Sequence, residues 1–213
     1  MKDGLKIALP KVRLGNKVYA VLSQIGYGYD EIMADSRKLV FYDEAKGNTY
    51  FLVKPSDVAT YVEYGAADIG FVGKDILLEN NSNVFELYDL GIGKCRICVA
   101  GEKDFPYHEK KHLKVATIFP NISREYFLAS GKTIDLITLH GSIEIAPLVN
   151  LSDVIVDIVE TGTTLRENNL VVHKEICPVS TRYIANKVSY TYKNEEIRRI
   201  YDLLKNLEAE NND

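Results

Sequence analysis

The stretch VIVDIVETGTTLREN, Val154 to Asn168, decides how this chain is read. Its branched apolar residues up to Val159 suit a strand. The chain then breaks into Glu160-Thr161-Gly162-Thr163-Thr164 and runs into polar residues that suit a helix. A tight loop entering a helix presents unpaired backbone N–H groups, and the helix dipole adds partial positive charge. Gly162 permits a conformation or close approach that a side chain would forbid. Thr161, Thr163 and Thr164 add hydroxyls, so the turn can enclose one phosphate without any lysine. Asp157, upstream on the same strand, can accept hydrogen bonds from sugar hydroxyls. Taken alone, however, TGTT reads more simply as a strand–turn–helix with Thr163 as an ordinary cap. It is not a Walker loop, because the G-x-x-x-x-G-K-[ST] spacing is absent.

Outward from this stretch, short apolar runs alternate with segments of helical period. Strands are predicted at LKIALP, RKLVFYD, TYFLVK, ADIGFVG, CRICVAG, LKVATI and DLITLHG. Helices are predicted at GNKVYAVLSQIGY, in KPSDVATYVEYG with Ser56 as a cap and Gly65 as the stop, and at KDILLEN. Another falls at NISREYFLASG, capped at Asn121 or Ser123, and a short one at SIEIAPLV. HKEICPVSTRYIANK is extended in character. NEEIRRIYDLLKNLE is amphipathic, with Ile197, Ile200, Leu203, Leu204 and Leu207 on one stripe. Glu208 to Asp213 read as a frayed acidic tail. This alternation predicts an α/β chain with mainly parallel sheets and helices on both faces.

The composition sets bounds on function. The 213 residues, 46% of them apolar, suffice for one large domain or two modest lobes. Lysine and arginine total 26 against 30 acids, a balance that argues against nucleic-acid binding but permits a local basic pocket. Cys95 and Cys98 form a C-x-x-C inside a strand, where the spacing puts them on opposite faces. With no second pair to complete a zinc site, a metal or redox role is not expected. Neither a signal peptide nor a run long enough to span a membrane is recognised, so the expected location is the cytoplasm.

The longer string V-x-x-D-x-x-x-T-G-x-T has the form of a phosphoribosyl-diphosphate loop. Together with LKIALPKVRL, SRKLVFYD, VKPSDVATYVEYGAADIGFVGKDILLE, LHGSIEIAPLVNLSDVIVDIVETGTTLRENNL and ICPVSTRYIANKVSY, in this order, it closely resembles the ATP phosphoribosyltransferase catalytic subunit of histidine biosynthesis. The resemblance covers about residues 5 to 205, and the chain looks like the short form that lacks a C-terminal regulatory domain.

That resemblance implies two α/β lobes of the periplasmic-binding-protein type (type II) with a ligand cleft. Residues 1–90 and 180–213 would form the first lobe, and 91–179 the second, carrying the phosphoribosyl-diphosphate loop. Asp157 would bind ribose hydroxyls, and Glu160, Thr161, Gly162, Thr163, Thr164 and Leu165 would complete the loop, with no firm role for Glu160. Glu144 would lie near the reacting sugar or the adenine. Lys11, Arg13, Arg37 and Lys54 match basic positions around the nucleotide and diphosphate, with Arg37, Lys54 and Glu144 as the catalytic set. Magnesium, a homodimeric core and a regulatory subunit similar to histidyl-tRNA synthetase are implied as well. Two positions depart from the family pattern: Val12 replaces a glycine that tolerates positive φ, and Lys54 replaces an arginine, losing its bidentate fork. His108, His112, His140 and His173 are scattered, and Tyr61 and Tyr64 suit packing on a helix face. The competing expectations are a binding or sensor module of the same fold and a purine-salvage phosphoribosyltransferase. The latter usually has adjacent acids before its loop, whereas Ile158 follows Asp157 here.

Overall fold

The computed structural model describes residues 4–34 and 37–212. The chain divides into two compact units, one of Met1–Leu77, Asn81–Gly93 and Ser180–Asp213, the other of Leu78–Asn80 and Lys94–Val179. The strands are β1 (Lys6–Pro10), β2 (Val40–Asp43), β3 (Asn48–Val53), β4 (Ile69–Gly73), β5 (Phe85–Asp89), β6 (Cys95–Glu102), β7 (His112–Thr117), β8 (Thr133–Thr138), β9 (Val154–Val159), β10 (Leu170–Val179) and β11 (Thr181–Ala185). The helices are α1 (Val12–Gln24), α2 (Val58–Glu63), α3 (Lys74–Asn80), α4 (Pro120–Ala129), α5 (Ile145–Leu148), α6 (Thr163–Glu167), α7 (Lys187–Tyr192) and α8 (Asn194–Asn212).

The first unit holds a sheet in the order β2-β3-β1-β4-β11-β5. Strand alternation sends Ile7 and Leu9 to one face, where they pack with Val18 and Leu22 of α1 and Ile197, Ile200 and Leu204 of α8. Ala8 points to the other face, against Val58, Ala59 and Val62 of α2. The second unit holds the order β10-β6-β9-β7-β8. Val154 and Val156 face Ile122 and Phe127 of α4, while Ile155 and Val159 face Ala146 of α5 and Leu165 of α6. The same alternation separates the C-x-x-C: Cys95 packs on the α4 side and Cys98 on the α5/α6 side.

Sheets that are mainly parallel are not what forms. Each is mixed, built on three parallel strands, β3-β1-β4 and β9-β7-β8. Antiparallel partners extend both: β2, β11 and β5 in the first, β6 and β10 in the second. The predicted caps also shift. Ser56 lies in a 3-10 turn (Pro55–Asp57) ahead of α2, its hydroxyl donating to Asp57 at 2.8 Å. Phe119 occupies the cap position of α4, and the buried Ser123 hydroxyl instead donates to the Phe119 carbonyl at 2.7 Å. The tail is not frayed, since α8 continues to Asn212; Asp213 lies outside the described residues.

One buried side chain ties two segments of the first unit together, the start of α7 and the end of α2. Asn186 accepts the N–H groups of Val188 and Ser189 at the start of α7, both at 2.9 Å. Its amide donates to the carbonyls of Val62 and Glu63 at the end of α2, at 2.8 and 3.1 Å. Asn186→Ala should therefore lower stability by about 2–3 kcal/mol in urea denaturation, because a cap is lost and buried carbonyls are left unpaired. A loss below about 0.5 kcal/mol would show that water replaces all four bonds.

Candidate active site

The carboxyl end of β9 opens into a cavity of about 280 Å³ lined by Glu144 and by Asp157 to Leu165. Thus Glu144, Asp157, Glu160, Thr161, Gly162, Thr163, Thr164 and Leu165 come together as a group. Gly162 has φ 73° and ψ 9°, the left-handed conformation that turns the chain from β9 into α6. The Thr161 and Thr163 hydroxyls lie 3.0 Å apart. Arg166, which sequence reasoning passed over, reaches back from α6. Its Nη1 donates to the Thr161 carbonyl and its Nη2 to the Thr163 hydroxyl, both at 2.9 Å. Its only signal in the sequence is its place three residues after Thr163 on a helical turn. Thr163 is not a conventional side-chain cap: Gly162 holds the cap position, and no side chain bonds there. Because α6 has only five residues, the local N–H and O–H donors matter more than any helix dipole.

Asp157 faces the α5/α6 side by strand alternation, between Ile155 and Val159. Both neighbouring strands pair with β9, and Cys98, opposite Asp157 in the ladder, is fully buried. Burial is the main cause that pushes the Asp157 carboxyl up to about 6, with the negative charge of Glu144 adding to it; a backbone N–H at Ile158 opposes the shift. Glu144 is half-buried at the start of α5.

The basic residues belong to the first unit. Pro10 and Val53 end the parallel strands β1 and β3 side by side, and the Lys11 N–H donates to the Val53 carbonyl at 2.9 Å. Lys11 and Lys54 therefore follow neighbouring strand ends, and Arg13 is the second residue of α1. Arg37 precedes β2, whose start is held against the end of β3 by the Leu52 N–H donating to the Leu39 carbonyl at 2.9 Å. The topology thus brings all four to one end of that sheet, where β1 and β3 finish and β2 begins. Val12 begins α1 in helical conformation, so no positive φ is required there. The close approach at this junction falls to Gly15, where a Cβ would meet the Pro10 carbonyl oxygen at 2.0 Å.

The remaining candidates stay apart. His108, His112 and His140 are exposed, while His173 is half-buried and stacks on Tyr107, its pKa lowered chiefly by burial. Tyr61 and Tyr64 do not pack on a helix face: they are 40% and 83% exposed, because Val58, Ala59 and Val62 form the buried side of α2.

The architecture is that of a type II periplasmic-binding-protein-like α/β chain. The substrate-binding protein of an amino acid ABC transporter shares it with a TM-score of 0.60, at 12% identity over 97% of this chain and 94% of that one. An ATP phosphoribosyl transferase (HisG:HisZ) complex from Thermotoga maritima matches more closely, with a TM-score of 0.80 and 36% identity over 95% of this chain and 99% of that one. The model of the HisG family, ATP phosphoribosyltransferase, matches residues 54–206. ATP phosphoribosyltransferases of Brachyspira hyodysenteriae and Clostridioides difficile are 56% and 51% identical, over 96% and 97% of this chain and 98% and 99% of theirs. The chain belongs to the ATP phosphoribosyltransferase family.

The raised Asp157 pKa has a consequence for stability. An unfolded aspartate titrates near 3.8, and the folded one near 6. The folded chain therefore holds the proton more tightly, and that contribution is complete below about pH 4 and lost as pH rises through 6. Asp157→Asn should be more stable than the parent by about 2 kcal/mol at pH 8 and nearly equal to it at pH 4. Urea denaturation at the two pH values checks this, and an equal gain at both would exclude a buried charge as the cause.

Proposed function

We propose that this protein joins N1 of the adenine of ATP to the anomeric carbon of 5-phosphoribosyl 1-diphosphate. The products would be N1-(5-phosphoribosyl)-ATP and diphosphate, in the first step of histidine biosynthesis. The observation that carries this is the gathering of Glu144 and the whole 157–165 loop on one cavity, in a chain of the ATP phosphoribosyltransferase family. Membership of an enzyme family favours catalysis over a binding-only protein of the same fold.

In this proposal Asp157 accepts hydrogen bonds from the ribose hydroxyls. The backbone from Glu160 to Leu165 and the hydroxyls of Thr161, Thr163 and Thr164 hold the 5′-phosphate. Glu144 stands near the reacting sugar or the adenine. Lys11, Arg13, Arg37 and Lys54 serve the nucleotide and the diphosphate, with Arg37 and Lys54 stabilising the charge that develops on the leaving group. The adenine N1 lone pair forms the new C–N bond while the C–O bond to diphosphate breaks, its electron pair leaving with the diphosphate. No strong base is needed before attack, so positioning supplies much of the rate. Residues 1–90 with 180–213, and 91–179, are the two lobes of this assignment.

Among the described residues no group of three or more His, Cys, Asp or Glu could hold a metal unaided. Glu144 and Asp157 do offer two carboxylates at the cavity, and magnesium is commonly held by one or two carboxylates plus substrate phosphates. When bound, magnesium would neutralise charge on the departing diphosphate. We further propose a homodimeric core and a histidyl-tRNA-synthetase-like regulatory subunit, supported by the HisG:HisZ complex named for the Thermotoga maritima structure. No helix among the described residues is long and apolar enough to cross a membrane, in keeping with a cytoplasmic enzyme.

The direct test mixes ATP, 5-phosphoribosyl 1-diphosphate and magnesium and follows N1-phosphoribosyl-ATP and diphosphate. Formation of both is expected, with activity lost on chelation and restored by magnesium. No product, alone or with a regulatory subunit, would refute the assignment. Asp157→Ala should raise the KM for 5-phosphoribosyl 1-diphosphate about tenfold or more, the scale of a lost hydrogen bond to a charged group. Inhibition by histidine should require the regulatory subunit.

A further inference from the structure

We propose that Arg166 is a positioning residue that holds the phosphate loop in its binding shape. The proposal rests on the assignment of residues 157–165 to 5-phosphoribosyl 1-diphosphate. Its two bonds straddle Gly162: Nη1 to the Thr161 carbonyl and Nη2 to the Thr163 hydroxyl, each at 2.9 Å. A guanidinium is a rigid planar fork, so bonding both atoms fixes their separation and orientation, which a lysine ammonium cannot do. Gly162 makes room for this clamp as well as for its own positive φ of 73°, since a Cβ there would lie 3.3 Å from Nη1.

The clamp also sets the direction of the hydroxyl pair. Arg166 has only donors, so the Thr163 oxygen accepts from it. That polarises the Thr163 O–H, favouring donation to the Thr161 oxygen 3.0 Å away. The Thr163 N–H also points to the Thr161 oxygen, at 3.4 Å. With its oxygen thus engaged, the Thr161 hydroxyl proton is left to donate to an anion.

Charge supplies a second, independent argument. Among the described residues, the cavity is lined by three acids, Glu144, Asp157 and Glu160, and by no lysine or arginine. A doubly charged 5′-phosphate would enter a negative lining. Arg166 is bonded to two of the lining residues through its guanidinium. It therefore brings positive charge to the loop through Thr161 and Thr163, from outside the cavity lining.

The test compares the full-length protein, together with its regulatory subunit if activity requires it, with Arg166→Gln and Arg166→Lys. Arg166→Gln should raise the KM for 5-phosphoribosyl 1-diphosphate about tenfold while the KM for ATP moves less than about twofold. Amide hydrogen exchange at residues 163–165 should quicken without any substrate. Arg166→Lys keeps the charge but loses the planar fork, so it should recover part of the KM and little of the exchange protection. Asp157→Ala serves as the reference. If Asp157→Ala raises the KM but Arg166→Gln does not, the positioning role is refuted and the loop assignment stands. If neither variant changes that KM, the loop assignment itself fails, even where loop exchange quickens. A fall in melting temperature with both KM values unchanged would reduce Arg166 to a structural contact and overturn the proposal.

Discussion

A carboxylate held on a central strand, between apolar neighbours, is the constraint on which this site depends. Pairing with β6 runs through Asp157, opposite Cys98, and pairing with β7 reaches its neighbour Val156, so both sides of β9 are held up to the carboxylate. Ionising it there is unfavourable, and the pKa of about 6 expresses that cost. The cost falls when hydroxyl donors approach, because hydrogen bonds favour the charged form. A ribose brings such donors, and a second carboxylate or a phosphate does not. The turn after Val159 starts from that same strand, which places the Thr161–Thr164 donors and Asp157 on one cavity. In the proposed assignment, sugar and phosphate selection would follow from a single strand and its exit.

Much of this was legible in the sequence because the governing periods are short. An apolar run with one acid, followed by a glycine among threonines, specifies a strand carrying a half-buried carboxylate, and a turn, almost locally. The opposite placement of Cys95 and Cys98 follows from the same period of two. What escaped was non-local. FELYD of β5 carries two acids in five residues and shows no clear alternation, yet it forms an edge strand because β11 offers it an antiparallel partner. Its acids are balanced by Arg182, which pairs with Asp89 at 2.9 Å and Glu86 at 3.5 Å. Strand direction was likewise hidden: the return strands β11, β6 and β10 convert sheets expected to be mainly parallel into mixed ones. Arg166 escaped because an arginine on a helical turn normally reads as solvated surface.

The two departures from the family pattern differ in weight. Val12 is harmless to the backbone, since the chain there is already helical and Gly15, one turn on, provides the contact with the Pro10 carbonyl that no side chain could share. Lys54 keeps its charge at the end of β3, but an ammonium is a point charge that cannot bind two oxygens in a fixed plane. Electrostatic stabilisation of a leaving group needs charge more than shape, so a lysine can serve there, with less control over orientation.

The absence of a lysine from the loop lining has a mechanistic sense. The 5′-phosphate is a handle that does not react, whereas the diphosphate must depart. Neutral N–H and O–H donors can hold the handle firmly without placing a strong cation beside the sugar, where positive charge develops as the C–O bond breaks. In the proposed assignment the lining acids Glu144 and Asp157 would favour that developing charge. A cation in the lining would oppose it. A guanidinium at Arg166, bonded to Thr161 and Thr163, would in that proposal keep the loop in shape and balance the phosphate while leaving the acids for the sugar.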